Sequence, residues 1–417
     1  RVLVNRVINI LLDETKPDRI LCVTYTKAAA AEMKERLFDR LGRWSVMPDD
    51  KLGDALKKLG HDRRDAAFLA SARKLFAMAL ETPGGLKIQT IHAFCENLLR
   101  RFPLEAGAPP GFKTLDDSEA VKVVEAARRR TLLRLDRDTV DTLLQAGGPD
   151  ALGNILRWTR FNRHKLSDAL EQAGDRDALI GQMYALFDLA PGTRSATLKA
   201  EAWAAAPHAH LVEAVIALRN DGSSTDQTRA AALEAALNAG SPDLAYDACL
   251  FAWFTDKGEG HRPKSLITKD CDKAAPSLKP MFEAEAERME LARDGVRAAQ
   301  VAEASAAALR VATLFLEAYD AEMLRRRALD FDDLIVLSGN LLSAANAFSG
   351  WVGYKLDGRL AHALVDEAQD TAPRQWDMIG SLTAEFFAGK GANEDRRTLF
   401  VVGDEKQSIY SFQGAEP

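Results

Sequence analysis

The chain has 417 residues, of which 47% are hydrophobic and 28% charged, and its formal net charge at pH 7 is -6. This composition describes a helix-rich globular protein with room for two or three domains, and it excludes low-complexity and fibrous classes. The net charge argues only mildly against a polyanionic partner, because a basic groove can exist on an acidic protein.

No membrane span or signal peptide is expected, because charged residues interrupt even the most apolar run and the N-terminus lacks the zones of a leader. The four cysteines are widely spaced, with no C-x-x-C pair, so they predict neither a metal site nor a disulfide framework. A reducing cytoplasm is the location that this pattern favours.

Strands and helices alternate over residues 1–104. The pattern predicts an apolar helix at Val2–Leu12, a buried strand at Ile20–Tyr25 and a helix at Ala28–Leu41. A second strand is predicted at Lys87–Thr90, running directly into another helix. Because strands that alternate with helices form parallel sheets, we predict an α/β domain.

Residues 105–325 differ in pattern. A proline- and glycine-rich stretch opens them, and only helical patterns follow. The last helix places apolar residues at gaps of three and four: Leu309, Ala312, Leu316, Tyr319 and Met323. We therefore predict an all-helical domain inserted into the α/β one.

Strand patterns return over residues 326–417, with short apolar runs at Ala361–Val365 and Leu399–Val402 that end in acidic and turn residues. These residues are assigned to the second part of the α/β domain. Since the chain stops at Pro417, directly after a strand and a loop, we expect a boundary within a longer protein.

Four carboxylates, Asp366, Glu367, Asp370 and Asp377, follow the strand predicted at Ala361–Val365. Ligands of a parallel sheet bind beyond the carboxyl ends of its strands. An adjacent carboxylate pair there suits nucleoside-triphosphate chemistry, in which one holds magnesium and the next orients or deprotonates water. Helix capping explains the pair equally well when these two residues are taken alone.

Five segments occur in a fixed order: "VTYTKAAAAEMKERL", "IQTIHAFCENLLRRF", "LDFDDLI", "LVDEAQD" and "VVGDEKQSIYSFQGAEP". Together they resemble superfamily 1 DNA helicases of the UvrD and RecB type. Within that family, "LETPGGLKIQTIHAFCENLLRRFPLEAGAPPGF" and "SIYSFQGA" look most like the AddA group of helicase-nuclease subunits. The resemblance implies a RecA-like P-loop NTPase sheet, domain 1A, with a large inserted all-helical domain, 1B.

The resemblance also implies an ATP site. Asp366 would hold Mg²⁺, and Glu367 would be the catalytic base. Asp404 would lie at the end of the next strand, and Gln407 would sense the γ-phosphate through its amide. Gln369 and Asp370 would link this site to the neighbouring motifs.

A track for single-stranded DNA is implied by the same resemblance. Tyr410 and Phe412 would stack on unpaired bases from one face of an extended segment. Gln413 replaces an arginine of UvrD-type relatives, so a neutral DNA contact would replace a charged one. Without the motif, we would assign both rings to core packing.

A second group of DNA contacts is implied near the start of the chain. Tyr25, flanked by Thr24 and Thr26, would offer another aromatic ring, and Thr90 and His92 would contact the DNA backbone and couple it to the nucleotide. A threonine-capped turn and a structural histidine are the alternatives that these residues leave open. In "LDFDDLI", the acidic residues are interpreted as helix caps rather than metal ligands: Asp330, Asp332 and Asp333.

No segment fits G-x-x-x-x-G-K-[ST], and the only Gly-Lys pair, Gly389-Lys390, is followed by Gly391. In the family the phosphate loop precedes a helix like Val2–Leu12, so Arg1 would be the first residue after it. A second RecA-like domain, which supplies arginines to the γ-phosphate, would follow Pro417. The 417-residue polypeptide alone is therefore expected to have negligible ATPase and helicase activity.

For the whole protein, the resemblance implies ATP-driven 3′ to 5′ movement along single-stranded DNA, with the helical insertion guiding duplex DNA. A nuclease domain and an AddB-like partner protein would lie outside these residues, and double-strand break repair would be the process served. A UvrD-like or RecB-like repair helicase is one alternative. A non-catalytic scaffold that binds DNA or a partner is the other.

Overall fold

The structure is a computed structural model that describes residues 2–83, 85–255, 258–357, 360–387, 396–404 and 406. The chain divides into two compact units. One is formed by Arg1–Lys122 together with Met323–Pro417, and the other by Val123–Glu322.

The helices, in chain order, are α1 (Val2–Leu12), α2 (Lys27–Ser45), α3 (Asp49–Lys57), α4 (Ala66–Glu81), α5 (Ile91–Arg101), α6 (Asp117–Arg134), α7 (Arg137–Gly147), α8 (Ala151–Ala173), α9 (Arg176–Ala185), α10 (Ser195–Ala204), α11 (His208–Asp221), α12 (Ser224–Leu237), α13 (Pro242–Trp253), α14 (Lys269–Ala274), α15 (Leu278–Arg326), α16 (Phe331–Leu342), α17 (Ser349–Asp357) and α18 (Pro373–Thr383). The strands are β1 (Ile20–Thr24), β2 (Lys87–Thr90), β3 (Lys113–Thr114), β4 (Ala328–Leu329), β5 (His362–Val365) and β6 (Thr398–Val401).

A four-stranded sheet of order β2-β1-β5-β6 organises the first unit. All three of its strand pairs are parallel. The register pairs Leu21 with Lys87 on one side and with Ala363 on the other, and Ala363 with Leu399. The carboxyl ends of all four strands therefore meet at one edge, and the predicted parallel sheet is confirmed.

Two layers of helices cover the sheet, because successive strand residues face opposite sides. Ile20 and Cys22 of β1 belong to a core built with residues of α1, α2, α3 and α4. Leu21 and Val23 belong to a second core with residues of α5, α16 and α18. Both faces are thus buried, which is why these strands read as continuous apolar runs rather than as an alternation.

Most predicted bounds in this unit hold to within a few residues. α1 and β2 have the predicted bounds, and β1 ends one residue early at Thr24. α2 begins at Lys27 because the Thr26 hydroxyl accepts a hydrogen bond from the Ala29 amide, and it continues to Ser45, past the buried Trp44.

One prediction is wrong in detail. Residues 105–325 are not all helical, because β3 lies among them and pairs in parallel with β4, joining Lys113 to Ala328 and Thr114 to Leu329. A two-residue strand has no periodicity for sequence patterns to reveal. Both strands lie in the first unit, whose first chain segment continues to Lys122.

The second unit is built from helices packed around α15. Trp253 and Phe282 lie in its largest core, with ring centroids 5.0 Å apart. The predicted apolar stripe of α15 is confirmed, since Ala312, Leu316 and Tyr319 are buried. By length and composition alone, α15 is the one helix in the described part of the chain that is apolar enough to cross a membrane, contrary to the expectation from the sequence; half of its apolar window is buried inside the protein.

The interpretation of "LDFDDLI" as a helix start is confirmed. The Asp330 carboxylate accepts from the Asp333 amide at 2.9 Å, and the Asp333 carboxylate accepts from the Asp330 amide at 3.0 Å. This reciprocal pair is a capping box, and it begins α16, which carries Leu334 and Ile335 into the core.

Substituting Asp330→Ala is expected to lower the free energy of unfolding by about 0.5–2 kcal/mol, because it removes the cap of a helix that packs on the sheet. Chemical denaturation measures the change. Asp50→Ala, which removes an exposed first-turn acid that does not cap α3, is the control and is expected to have a smaller effect. An Asp330→Ala variant as stable as the wild type would contradict the capping role.

Candidate functional site

The edge where the four parallel strands end brings the predicted site residues into two groups. Thr24 and Thr90, which end β1 and β2, are register partners. Asp366 follows β5, and its backbone amide donates to the carbonyl of Val23 at 2.9 Å. The predicted DNA contacts of the N-terminal motifs therefore lie along the β1 and β2 half of the edge, and the predicted nucleotide contacts along the β5 and β6 half.

Backbone hydrogen bonds hold the segments after β5 and β6 together. The Val402 amide donates to the carbonyl of Val365 at 2.9 Å, and the Ala368 amide donates to the carbonyl of Val402 at 3.0 Å. The ladder between the two strands thus continues beyond their ends, and it fixes the position of the carboxylate pair relative to the loop that contains Asp404.

The carboxylate pair lies at a sharp change of backbone direction. Asp366 is partly buried and Glu367 is exposed. Glu367 has φ 53° and ψ 47°, the left-handed conformation that costs a residue with a side chain about 1–2 kcal/mol. Burial raises the pKa of Asp366, and the negative charge of Glu367 raises it further. Strain and unfavourable charge therefore coincide at these two residues, as is typical of functional sites.

Gln369 connects Glu367 to the loop after β6. Its side-chain Nε2 donates to Glu367 Oε2 at 2.6 Å, and its Oε1 accepts from the Asp404 amide at 2.9 Å. The Gln369 side chain is buried. One amide group therefore holds the carboxylate of Glu367 and the backbone of Asp404 in a fixed relation.

Gly403 makes this connection possible, and the sequence analysis did not identify it. A Cβ atom at residue 403 would lie 2.8 Å from Gln369 Oε1 and 3.0 Å from the Cβ of Ala368. Real Cβ atoms essentially never show the first of these distances. A glycine directly after a predicted strand and before an acid is the sequence signal of such a close approach.

The residues present fit a magnesium ion that is shared with a nucleotide. Within the described ranges, no group of three or more His, Cys, Asp or Glu side chains is arranged to hold a metal. Mg²⁺ at a nucleotide needs only one or two carboxylates, since phosphate oxygens and water complete its shell. Asp366 and Glu367 supply such a set, and the raised pKa of Asp366 marks negative charge that a cation would offset.

The threonines at the other half of the edge shape its turns. The Thr24 hydroxyl donates to the carbonyl of Thr26 at 2.9 Å, and the Thr90 hydroxyl accepts from the Ala93 amide at 3.2 Å at the start of α5. Tyr25 is partly buried between Thr24 and Thr26. The threonine-capped turns that the sequence left as an alternative are therefore present, and DNA contact by these residues stays a prediction.

His92 joins two of the sequence motifs. Its ring packs edge-on against that of Phe331, with centroids 5.1 Å apart and planes at 73°. Burial lowers the pKa of His92, so the ring is neutral at pH 7 and would meet DNA as a hydrogen-bonding group rather than a cation. The sequence analysis missed Phe331, the first residue of α16, because no periodicity marks a contact between motifs so far apart.

Four predicted residues lie outside the described part of the chain: Gln407, Tyr410, Phe412 and Gln413. The Gly389-Lys390 pair lies outside it as well. The roles assigned to Gln407 at the γ-phosphate and to the aromatic residues on DNA stay predictions.

The whole chain, residues 1–417, matches a family model described as the UvrD/REP helicase N-terminal domain. The chain belongs to this family. The match confirms the resemblance to UvrD-type helicases that the five motifs predicted, and it assigns the parallel sheet and its carboxyl edge to a helicase N-terminal domain.

Curated relatives of this helicase N-terminal domain carry names that describe them as ATP-dependent helicase/nuclease subunits of the first kind, the AddA kind. The protein from Pelotomaculum thermopropionicum is 28% identical over the whole chain, which covers 33% of that relative, and the one from Latilactobacillus sakei is 26% identical over the whole chain, covering 47%. A relative from Desulforamulus reducens is 34% identical over 138 residues, 32% of the chain. These names agree with the predicted AddA resemblance, and the chain spans between a third and a half of the first two relatives' length.

Substituting Gly403→Ala in this domain is expected to displace Gln369 and to lower the free energy of unfolding by about 1–3 kcal/mol, the usual cost of overpacking. Thermal or chemical unfolding measures the change. Gly380→Ala is the matched control: Gly380 lies in α18, and nothing lies within 4 Å of the position that an alanine methyl group would take, so alanine there is expected to be neutral or stabilising. Equal effects of the two substitutions would contradict the close contact.

Substituting Asp366→Asn is expected to raise the free energy of unfolding at neutral pH. The pKa of Asp366 lies above its ordinary value of 3.8 in the folded protein, so folding disfavours the ionised form. The wild type therefore loses stability as pH rises from about 4 through the folded pKa, and the asparagine variant lacks this loss.

The stability difference between wild type and Asp366→Asn, measured by denaturation from about pH 3 to about pH 8, should thus grow with pH and then level off. Asp377→Asn, which neutralises a carboxylate on α18, is the control and should show no such rise. A pH-independent difference at Asp366 would show that the site does not disfavour its charge.

Proposed function

We propose that this chain is the part of an ATP-dependent DNA helicase that carries the catalytic carboxylates, in a protein that moves along single-stranded DNA. The observation that carries the proposal is the pair Asp366 and Glu367 at the carboxyl edge of the sheet, tied through Gln369 to the loop after β6. Membership of the UvrD/REP helicase N-terminal family supports the same function.

In this proposal Asp366 holds Mg²⁺ and Glu367 takes the proton of the attacking water. The ion, when bound with ATP, neutralises charge that develops on the phosphates. The exposed carboxylate of Glu367 is oriented by the Nε2 group of Gln369 at 2.6 Å. Gln369 is a positioning residue, because it acts through Glu367.

The link from Gln369 to Asp404 gives a physical route from hydrolysis to DNA. Any displacement of the Asp404 backbone changes the bond that holds Gln369 Oε1 and therefore the bond that holds Glu367. The segment after Asp404 contains Gln407, proposed at the γ-phosphate, and Tyr410 and Phe412, proposed to stack on bases. Movement of this loop would thus couple the nucleotide to the DNA track.

The second half of the edge supplies the proposed DNA contacts Thr24, Tyr25 and Thr26 after β1, and Thr90 and His92 after β2. Direct pairing of β1 with both β2 and β5 supports coupling between the two halves, since β1 is shared by them. We also propose polar, neutral contacts for His92 and Gln413.

For the whole protein we propose 3′ to 5′ movement and a role in double-strand break repair, with a nuclease domain and an AddB-like partner in the cytoplasm. The names of the relatives, which include helicase and nuclease, support this. We further propose domain 1A over residues 1–104 and 326–417, and the inserted helical domain 1B over residues 105–325.

A chimera tests the catalytic proposal. In it, this chain replaces the matching part of the Pelotomaculum thermopropionicum relative, which supplies the remainder of a protein named as an ATP-dependent helicase. Glu367→Gln in the chimera is expected to lower ATP turnover with single-stranded DNA by about 100-fold or more, because a general base is lost.

Glu81→Gln, which removes an exposed carboxylate at the end of α4, is the matched control and should keep full turnover. The 417-residue chain alone is the baseline and is expected to show negligible turnover, because it holds no G-x-x-x-x-G-K-[ST] segment. Full activity of the Glu367→Gln chimera, or rapid turnover by the chain alone, would contradict the proposal.

A further inference from the structure

The outer face of α8 exposes two large aromatic side chains that the proposed ATP and DNA sites do not use. Trp158 is 54% exposed and Phe161 is 69% exposed. They are three residues apart on one helix, so they are neighbours on its surface. Soluble proteins rarely leave two adjacent large rings in water without a binding role.

The surroundings of these rings are basic. Residues 157–165 include Arg157, Arg160, Arg163 and Lys165, and no carboxylate occurs between Asp150 and Asp168. Arg157 is exposed, and the guanidinium carbon of Arg160 lies 5.6 Å from the centroid of the Phe161 ring.

Two of the basic residues are set apart by the shape of the helix. Arg163 is buried, with its guanidinium 5.3 Å from the ring of Tyr319, so it belongs to the interior. Asn162 has non-helical dihedral angles, and its Nδ2 donates to the carbonyl of Trp158 at 2.9 Å. This kink changes the helix direction before Lys165. The α8 patch is therefore defined as Arg157, Trp158, Arg160 and Phe161.

The chemistry of the α8 patch selects its partner. An apolar protein surface or a lipid interior would not favour two guanidinium groups without an acid nearby, whereas a polyanion does. Neighbouring aromatic rings bind the faces of nucleobases, and only unpaired bases offer those faces. Arginine supplies both phosphate contacts and stacking.

We infer that the α8 patch is a second binding site for unpaired DNA, with bases stacked on Trp158 and Phe161 and phosphates held by Arg157 and Arg160. The choice of DNA rather than another unpaired nucleic acid rests on the proposed function. The site lies wholly within the helical unit Val123–Glu322, and it needs neither ATP nor the carboxylate pair.

Fluorescence anisotropy of a labelled oligo-dT strand tests the inference in the 417-residue chain. The background carries Tyr410→Ala and Phe412→Ala, so that the proposed stacking site of the C-terminal motif is removed. Trp158→Ala and Phe161→Ala are each expected to weaken binding roughly 5- to 150-fold, the range for loss of one stacked base. Trp158→Phe should keep most of the affinity, because one ring replaces another.

Phe251→Ala is the matched control: Phe251 is 49% exposed on α13 of the same unit, and its loss should leave binding unchanged. Arg157→Gln with Arg160→Gln should also flatten the salt dependence of binding, by about 0.7 in the log–log slope for each phosphate that is no longer neutralised. Arg176→Gln with Arg219→Gln, which neutralises two exposed arginines elsewhere in the unit, should leave that slope unchanged.

Three results would overturn the inference: no binding of oligo-dT by the background protein, no effect of Trp158→Ala and Phe161→Ala, or tighter binding of a duplex of the same length. A change of oligomeric state in Trp158→Ala, with DNA binding intact, would overturn it in favour of contact with a second copy. Loss of the catalytic proposal would leave these binding results in place, because ATP is absent from the assay.

Discussion

The parallel alignment of four strands is the constraint on which the candidate site depends. Because β1, β2, β5 and β6 run in one direction, segments that lie far apart in the chain end at the same edge. Gln369 then converts proximity into connection, since it donates to Glu367 and accepts from the Asp404 amide. Gly403 leaves the space that this arrangement needs. The catalytic proposal thus rests on one buried amide as much as on the two carboxylates.

The same edge stores unfavourable energy. Asp366 is partly buried beside a second carboxylate, and Glu367 adopts a left-handed backbone conformation. Neither feature stabilises the fold, and each is expected where charge must be offered to a cation or a phosphate. The helix cap at Asp330 shows the contrast: Asp330 and Asp333 receive hydrogen bonds from each other's backbone amides, and they strengthen the fold.

Long apolar runs and helical stripes predicted the sheet, its flanking helices and the buried stripe of α15, because burial on both faces leaves a strong pattern. β3 and β4 escaped prediction since two residues have no period, and α3 and α4 are not among the predicted elements. At the site, motif order predicted the carboxylates and Gln369, but Gly403 and Phe331 act through contacts with distant residues, 369 and 92, that only a folded chain reveals.

The most direct test of the paired, partly buried carboxylate site is a carboxyl ¹³C NMR titration of Asp366 in the wild-type chain and in Glu367→Gln. We predict a midpoint above 3.8 in the wild type and a lower midpoint in Glu367→Gln, because one neighbouring negative charge is removed while burial stays. A midpoint at the ordinary value that does not respond to Glu367→Gln would contradict the site on which the proposed function depends.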